Sequence, residues 1–567
     1  MRIAFALILT AATLLAAEAT PLAERFPAGA TAYVEIHDLA GTVDRFLESD
    51  LGRRAQAHPA VKAFLDSPKG RQLLLGEALL RGLTDEGVLG NLRVVASRRI
   101  AIAWYGTKQR VVLMAEVDPA GVEPILSGLE MAAGALRTEV LPAEEGRAAL
   151  WQIGEAYLAL EGGLLFASPD RMLATAIRNR AAKGLSQSEG YRAARAQVPE
   201  DSLLFVAVDL RPFHAQMKAG GLPKDLGQAL IMGALPHRLP HAGWAAMGLG
   251  VSGRDDQLRV QGSAFIPRDA EESEAVREAF GGTLTALPFA LPDRTVGLVR
   301  MRRDFESIWT NRDALIAEAG IPGLVEFETN FGNLTSGMSW VEEFLPSVGE
   351  EFFFVGMQPQ LAANQAAPKL LLPEFAFVWP MTDAAKLERS LRVTFYNTVG
   401  IVNASQKGMM EGVSLLPAGE TYKGVRIETA RYEEPTDGRT GRTLHMRHNF
   451  APSMAVVNGH LVLASNDGIV RSLIDGREGS TPVPPRANSR IELMPEQVRQ
   501  MLRLNAEQLV ARSMLEEGDD RATAESKVDL LLEAARYLRE FSITLEEGRT
   551  ASGVRVQLAL KAPGADR

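Results

Sequence analysis

One segment occurs twice in this sequence, and the repeat constrains the fold more than any other feature. Residues 162–178 align without gaps on residues 459–475, with six of the 17 positions identical and five of the other eleven exchanging one apolar residue for another. Self-similarity at separate places in a chain is the sequence signature of a repeated structural unit. The sequence therefore predicts a chain that contains two internally similar halves.

Each copy of the repeat predicts a β-hairpin that leads into a helix. In the first copy, alternating apolar residues flank the turn at 161–163, and in both copies a serine precedes a helical stripe of apolar side chains. We expect Ser168 and Ser465 to be the N-caps. Asp170 and Asp467 then fall in the first helical turn, where the helix dipole favours a negative charge.

Other strand-like segments recur in the same order along both halves. The pairs are 32–36 with 296–300, 100–104 with 352–356, 111–117 with 375–379, and 258–261 with 554–557. Hairpins with helices between them are typical of an α+β fold. We therefore expect two tandem α+β halves, each with a mostly antiparallel sheet and packed helices.

The predicted halves span residues 22–267 and 290–563, with residues 268–289 as the connector. The second half carries extra length near 397–450 and near 496–540, where helices are expected at 496–515 and 523–540. We expect the apolar stripe of the last helix to face the core. This stripe consists of Val528, Leu531, Leu532, Ala535 and Leu538.

The first 19 residues have the pattern of a secretory signal peptide. Arg2 precedes an apolar run of about 14 residues, short of the roughly 20 that a spanning helix needs, and Ala17-Glu-Ala19 fits a small-x-small cleavage site. We expect cleavage after Ala19, a periplasmic or secreted protein, and no transmembrane segment in the mature chain. An uncleaved anchor is the alternative. The chain has no cysteine, which excludes a lipid-modified cysteine, disulfides and thiolate chemistry.

Several sequence patterns match a functional motif but lack its context. Residues 248–253 fit GxGxxG, yet a strand follows them, so no helix N-terminus is available for a phosphate. The acidic run 516–520 lacks the ligand spacing of a calcium loop, and we expect Asp519 or Asp520 to cap the next helix. The densest basic cluster, residues 300–303, is expected at a solvated strand end.

Two close pairs of histidines also lack the setting of a zinc site. Prolines interrupt the helix that the first pair requires, and the second pair lies in a strand-like segment, 443–450, where an odd spacing separates the rings. The pairs are His237 with His241 and His445 with His448. We therefore assign no catalytic, cofactor-binding or metal-ligating residue, and we expect no cofactor.

Three features resemble an uncharacterised family of exported bacterial proteins, known only as a domain of unknown function. They are the segment PAGATAYVEI at 27–36, the strand–Asp–helix segment at 377–387, and the Ala-Ser-x-Asp segments at 167–170 and 464–467; the stretch 422–427 also fits. The resemblance covers most of the mature chain and implies tandem α+β halves. It supplies no catalytic residues.

These observations favour a non-enzymatic envelope protein that binds a protein, polymer or small ligand between its two halves. A periplasmic hydrolase that uses acidic residues is one alternative, which a cleft with clustered carboxylates of raised pKa would favour. A carrier of lipid or other apolar cargo is another, which requires a dry pocket. The net charge of −9 argues against nucleic acid as a partner.

Overall fold

The computed structural model describes most of the chain as two compact units. The described residues are 22–38, 41–42, 47–57, 99–106, 110–117, 122–123, 126–127, 129–130, 140–141, 149–153, 156–161, 163–178, 184–200, 202–220, 222–254, 257–267, 273–335, 337–360, 368–406, 414–432, 446–548 and 551–561. The first unit comprises Met1–Phe213, Ala242–Val251 and Ser263–Pro267, and the second comprises His214–His241, Ser252–Gly262 and Arg268–Arg567. The predicted signal peptide lies outside the described residues. Within the ranges given, no helix has both the length and the apolar character needed to cross a membrane.

The first unit is an antiparallel sheet with helices between its strands. Its strands are β1 (Ala32–His37), β2 (Arg99–Tyr105), β3 (Arg110–Glu116), β4 (Val140–Leu141), β5 (Leu150–Ile153), β6 (Ala156–Glu161), β7 (Leu164–Ser168) and β8 (Leu204–Asp209). The strands β9 (Trp244–Arg254) and β10 (Gln257–Pro267) form a hairpin whose residues are divided between the two units. The order across the sheet is β9–β8–β1–β2–β3–β7–β6–β5–β4. Its helices are α1 (Asp50–Ala57), α2 (Arg171–Arg178) and α3 (Glu189–Arg195).

The core of the first unit is rich in aromatic side chains on one face of this sheet. Alternate residues of a strand point to the same face, and in β1 and β8 these include Tyr33 and Phe205, both fully buried. Tyr191 of α3 packs edge-on against Tyr33, with ring centroids 5.5 Å apart, and Trp244 packs edge-on against Tyr191. Such edge-to-face contacts stabilise a core beyond the burial of area alone.

The second unit is also an antiparallel sheet, and it carries more helices. Its strands are β11 (Thr295–Arg302), β12 (Glu351–Met357), β13 (Glu374–Pro380), β14 (Leu415–Tyr422), β15 (Val425–Tyr432), β16 (Ser453–Val457), β17 (His460–Ala464), β18 (Ala487–Leu493), β19 (Leu538–Glu547) and β20 (Ala551–Lys561). The order across the sheet is β20–β19–β18–β11–β12–β13–β17–β16–β15–β14. The fold is therefore α+β with extensive antiparallel sheet.

Helices of the second unit bury aromatic and aliphatic side chains against this sheet. They are α4 (His214–Gly220), α5 (Leu226–Met232), α6 (Leu235–Arg238), α7 (Glu274–Phe280), α8 (Phe305–Thr310), α9 (Arg312–Leu315), α10 (Ile321–Leu334), α11 (Ala384–Gln406), α12 (Asp467–Asp475), α13 (Pro495–Leu504), α14 (Ala506–Glu516) and α15 (Arg521–Tyr537). Phe305 of α8 lies 4.5 Å, between ring centroids, from Trp379 of β13. This contact fixes α8 beside the ends of β11 to β13.

The strands of the two sheets lie in the same order across the sheet. Adding ten to each strand number of the first sheet gives the order β19–β18–β11–β12–β13–β17–β16–β15–β14 of the second. The predicted segment pairs fall on β1 and β11, β2 and β12, β3 and β13, and β10 and β20. The register along the first two strands also agrees, because His37 lies opposite Arg99 and Arg302 lies opposite Glu351.

Within the repeated segment, the two hairpins differ from the ungapped alignment by one residue. Gly163 and Gly459 both have positive φ and directly precede β7 and β17, whereas the alignment places Gly162 against Gly459. Because side chains alternate along a strand, one residue of slip exchanges the faces. The aligned residues Phe166 and Leu463 accordingly differ: Phe166 is buried, and Leu463 is 43% exposed.

The predicted serine caps are wrong in both copies. Asp170 caps α2 by accepting from the Leu173 N–H at 3.0 Å, and Asn466 caps α12 by accepting from the Gly468 N–H at 3.0 Å. The Ser168 hydroxyl donates to the Val111 carbonyl of the neighbouring strand at 2.8 Å and accepts from the Asp170 N–H at 3.1 Å. The Ser465 hydroxyl accepts from the Phe375 N–H of the neighbouring strand at 2.8 Å. The helices therefore begin one or two residues later than expected.

The insertion near 496–540 departs from prediction in two ways. The first helix divides at Asn505, whose side-chain amide is held by the backbone N–H and C=O of Leu371, both at 2.8 Å. The last helix ends at Tyr537. In its apolar stripe Val528 is buried, but Leu531 is 45% exposed, so the expectation that the whole stripe faces the core is wrong.

Two other local predictions can be compared with the structure. Asp520 caps α15 by accepting from the Thr523 N–H at 2.7 Å, which confirms the predicted acidic turn. Met446–Asn449 forms a 3-10 turn and not the predicted strand. His445 lies outside the described residues.

Candidate functional site

The second unit contains a pocket of about 500 Å³ where β11 and β13 end and β12 and β17 begin. We call it the rim pocket. Its floor is apolar and includes Leu287, Phe305, Leu345, Val348 and Phe353. Its rim is polar and includes Thr285, Arg302, Asp304, Glu306, Glu350, Glu351, Thr382 and His460. An apolar floor with a few polar groups around it is the usual form of a small-molecule site.

Glu351 lines the rim pocket and forms a buried ion pair with Arg300. Arg300 is 1% exposed, and its Nη2 donates to Glu351 Oε1 at 2.6 Å and to the Thr285 carbonyl. The other carboxylate oxygen of Glu351 accepts from the backbone N–H and the hydroxyl of Thr285, at 2.9 and 2.8 Å. A buried guanidinium needs such partners because unpaired burial costs several kcal/mol, on the order of 3–5.

His460 presents a hydrogen-bond acceptor at the pocket. Its Nδ1 lies 2.8 Å from the Asn458 carbonyl oxygen, and a carbonyl can only accept, so Nδ1 carries the proton. Nε2 then keeps a free lone pair when the ring is neutral. Burial lowers the pKa of His460, which favours this neutral form near pH 7.

The first unit has a charged cluster at the corresponding end of its first two strands. Buried Glu35 of β1 accepts from the Tyr33 hydroxyl at 2.8 Å and lies 3.0 Å from His37 Nε2 and 3.9 Å from Arg99 of β2. Arg99 also donates to Glu116 at 2.9 Å. Burial raises the pKa of Glu35, but hydrogen bonds from His37 and Tyr33 outweigh it, so the net shift is downward.

The two units have ion pairs at matching strand positions, but the acidic and the basic residue have exchanged strands. In the first unit the acid Glu35 is on the first strand and the base Arg99 is on the second. In the second unit the base Arg300 is on the first strand and the acid Glu351 is on the second. Both pairs join diagonal positions of the same register, so each sheet keeps a cross-strand ion pair there.

A second pocket of about 470 Å³ lies beside the start of α12 and contains two acidic residues, Glu374 and Asp467. We call it the carboxylate pocket. Burial raises the pKa of Glu374, which is 5% exposed, although Arg294 donates to it at 2.8 Å. Asp467 accepts from Arg431 at 2.6 Å and lies 3.2 Å from Arg471. The arrangement has the clustered carboxylates and raised pKa that the hydrolase alternative requires.

The histidines and the GxGxxG segment, to which the sequence analysis assigned no function, lie in ordinary structural elements. His237 lies in α6, stacked on Phe280 with ring centroids 5.8 Å apart, and His241 ends a 3-10 turn. Residues 248–253 lie within β9. In the part of the chain that the structure describes, no group of three or more His, Asp or Glu residues is placed to hold a metal.

The prediction for the basic cluster at 300–303 is wrong, and the ion pair between Arg300 and Glu351 beside the rim pocket was not predicted. Arg300 and Arg303 are 1% and 0% exposed, so the expected solvated strand end is wrong. Arg300 alternates with apolar residues inside β11, whereas Arg303 follows the end of that strand. Their carboxylate and amide partners are distant in sequence, so the ion pairs were not predictable.

Comparison with known proteins gives no family. No protein-family model matches the chain, and no curated protein matches it. Solved structures of TP0453 are similar at 10% identity in crystal form III, with a TM-score of 0.23, covering 46% of this chain and 85% of that one. Crystal form I gives 11% identity and a TM-score of 0.22, covering 44% and 80%. A likeness at this level carries no conclusion about function.

Proposed function

We propose that the protein is an exported, non-enzymatic envelope protein that binds a ligand in the rim pocket. The observation that carries the proposal is the pocket itself, about 500 Å³ with an apolar floor and a charged rim. Its volume falls within the range of small-molecule sites, roughly 300–1,000 Å³. A binding surface between the two halves stays a prediction.

The geometry of the rim favours binding over catalysis. Glu351 is held by Arg300 and Thr285, and Arg302 donates to Glu350, so these charges support one another. Asp304 caps α8 and bonds the Ser307 hydroxyl at 2.7 Å. Held in this way, Glu351, Arg302 and Asp304 shape and polarise the pocket, and the two carboxylates are engaged in structural contacts and are not free general bases.

The test is native mass spectrometry of protein purified from its own envelope. Ala286 lines the pocket and is exposed, so Ala286→Trp should fill the space without entering the core. We expect a ligand on the wild type and none on Ala286→Trp. Ala319→Trp, at an exposed position outside the pocket, should retain it. A wild type without ligand, or equal occupancy in all three proteins, contradicts the proposal.

Export is the second part of this proposal, supported by the signal-peptide pattern of residues 1–19. Mass spectrometry of the protein from an envelope fraction should find Thr20 as the N-terminal residue. A chain that still begins at Met1 contradicts cleavage and favours the anchored alternative.

A hydrolase is the second candidate, favoured by the carboxylate pocket. Glu374 with its raised pKa would be the proton donor, and Asp467 the second carboxylate. Glu374→Gln should then abolish turnover on an ester, peptide, phosphate or glycoside panel, and Glu496→Gln, outside the pocket, should not. Absence of turnover by the wild type sets this candidate aside. Apolar cargo is less favoured, because both pockets carry charged walls.

We also propose that the two units are copies of one ancestral unit. The support is the shared strand order, the shared register of the first two strands, and a cross-strand ion pair at the same positions. The two units have different residues at both positions of the pair, yet each unit keeps an ion pair there. This is expected if the two residues of the pair changed together after the duplication.

A further inference from the structure

Several hydrogen-bond donors of the rim pocket already have partners within the protein. Arg302 donates from Nη1 to a backbone carbonyl at 2.5 Å and pairs through Nη2 with Glu350. The Thr285 hydroxyl donates to Glu351 at 2.8 Å, and the Thr382 hydroxyl donates to a backbone carbonyl at 3.0 Å. A ligand that took these bonded hydrogens would have to break bonds within the protein.

Acceptors, by contrast, remain open to a ligand. Glu306 lies in the first turn of α8 with an exposed side chain, and it forms no ion pair within the described part of the chain. His460 offers the Nε2 lone pair, because its Nδ1–H is committed to a carbonyl. An ionised carboxylate has about four acceptor sites, so Glu350 also keeps free lone pairs beside its contact with Arg302.

The floor adds an apolar requirement. Phe305, Val348 and Phe353 are buried, and together they give the pocket a surface that water solvates poorly. A small hydrated cation would leave this floor unused. A ligand with a donor-rich head and an apolar stem would satisfy both parts of the site.

We infer that the rim pocket takes a primary ammonium group carried on a short apolar stem, an inference that rests on the proposed binding function. An ammonium group has three donors and no acceptor, which complements the open acceptors of the rim. Glu306 supplies the opposite charge, His460 a neutral acceptor, and the phenyl rings the contact for the stem.

The test uses three probes of equal length, hexylammonium, hexanoate and hexanol, with binding to the mature protein measured by calorimetry at pH 7.5. We expect hexylammonium to bind at least about tenfold more tightly than hexanoate or hexanol. Glu306→Gln and His460→Phe should each weaken hexylammonium binding by about three- to tenfold, since each removes one acceptor of the head group. Glu318→Gln removes the same charge at an exposed position outside the pocket and should change it less than twofold.

The remaining outcomes separate this inference from the proposed function. Preferential binding of hexanoate or hexanol, abolished by Ala286→Trp, overturns the ammonium class while the pocket keeps its binding function. Hexylammonium binding that Ala286→Trp and Glu306→Gln leave unchanged overturns the assignment of the site. Binding of no probe overturns the inference, and the native ligand of the wild type then decides the proposed function alone. Circular dichroism of each variant identifies any that fail to fold.

Discussion

Arg303 is a fully buried guanidinium whose direct acceptors are neutral groups. It donates from Nε to the Leu230 carbonyl at 2.8 Å, and from Nη1 to the Arg302 carbonyl at 2.6 Å and to Asn488 Oδ1 at 2.8 Å. Burial lowers the pKa of Arg303 to about 10, so the side chain stays charged at neutral pH. Its role is to satisfy polar groups where α5, β11 and β18 meet in the second unit.

Replacing this side chain should be costly. Arg303→Met keeps an apolar stem but leaves the buried Leu230 carbonyl without its arginine donor, and it leaves the Asn488 amide oxygen with the Ser489 hydroxyl alone. We expect a loss of about 2–4 kcal/mol in the free energy of unfolding. Arg536→Met, which removes an exposed arginine paired within a helix, should cost less than about 0.5 kcal/mol. Urea denaturation of both variants is the measurement. Equal effects would contradict the structural role of Arg303.

Glu35 predicts a pH dependence of stability in the first unit. Because its pKa in the folded protein lies below the ordinary value of 4.5, its ionised form stabilises the fold above that value. The contribution is lost as the pH falls through the folded-state pKa. The stability difference between wild type and Glu35→Gln should therefore be largest near pH 7 and shrink as the pH falls below 4.5.

Denaturation midpoints at several pH values measure this difference, with Glu200→Gln as an exposed control in the same unit. The control should differ little from wild type at any pH. A difference for Glu35→Gln that grows on acidification would contradict the assignment of a lowered pKa.

At the level of secondary structure, the sequence predicted the hairpin strands well and the first residues of the helices poorly. The hairpin strands β6, β7, β16 and β17 follow directly from apolar alternation and a glycine-containing turn. The caps did not follow, because Ser168 and Ser465 bond to a strand that is distant in sequence, and no local pattern reports this. The carboxylate pocket was missed for the same reason, since Glu374 and Asp467 belong to segments that only the sheet brings together.

The interaction between Arg300 of β11 and Glu351 of β12 can be tested by exchanging the two residues. Arg300→Glu alone and Glu351→Arg alone each place two like charges together near the core, and each should lower the free energy of unfolding by about 3–5 kcal/mol. The double variant restores a pair with the charge order of Glu35 and Arg99. It should recover at least half of the summed loss.

Recovery is expected to be incomplete, because the Thr285 carbonyl accepts from Arg300 and would face a carboxylate in the double variant. Urea denaturation of the four proteins forms a double-mutant cycle, which isolates the pairwise interaction. Losses that simply add would show that the two residues do not interact, and would remove one support for treating the clusters as equivalent.

At the scale of the whole molecule, the main similarity between the two units is the order of the strands in their sheets. Both sheets place the seventh strand beside the third and the eighth beside the first, although these strands are far apart in the chain. The order of a meander follows from short connections, but these two long-range placements do not. Their recurrence is what a duplication of one unit would produce, and the sequence pairs four of the strands in the same way.

The duplication proposal makes a prediction at this scale that an experimental structure can test. Strands β1 to β10 should superpose on β11 to β20 with His37 on Arg302, Arg99 on Glu351 and Gly163 on Gly459. The last equivalence requires a one-residue gap in the repeated segment, because both glycines have positive φ and start a strand. The matched strands should also share connections of the same handedness. If the strand orders agree but the crossover connections differ in hand, or if these positions fall on opposite faces, then the two units converged on one order and were not copied.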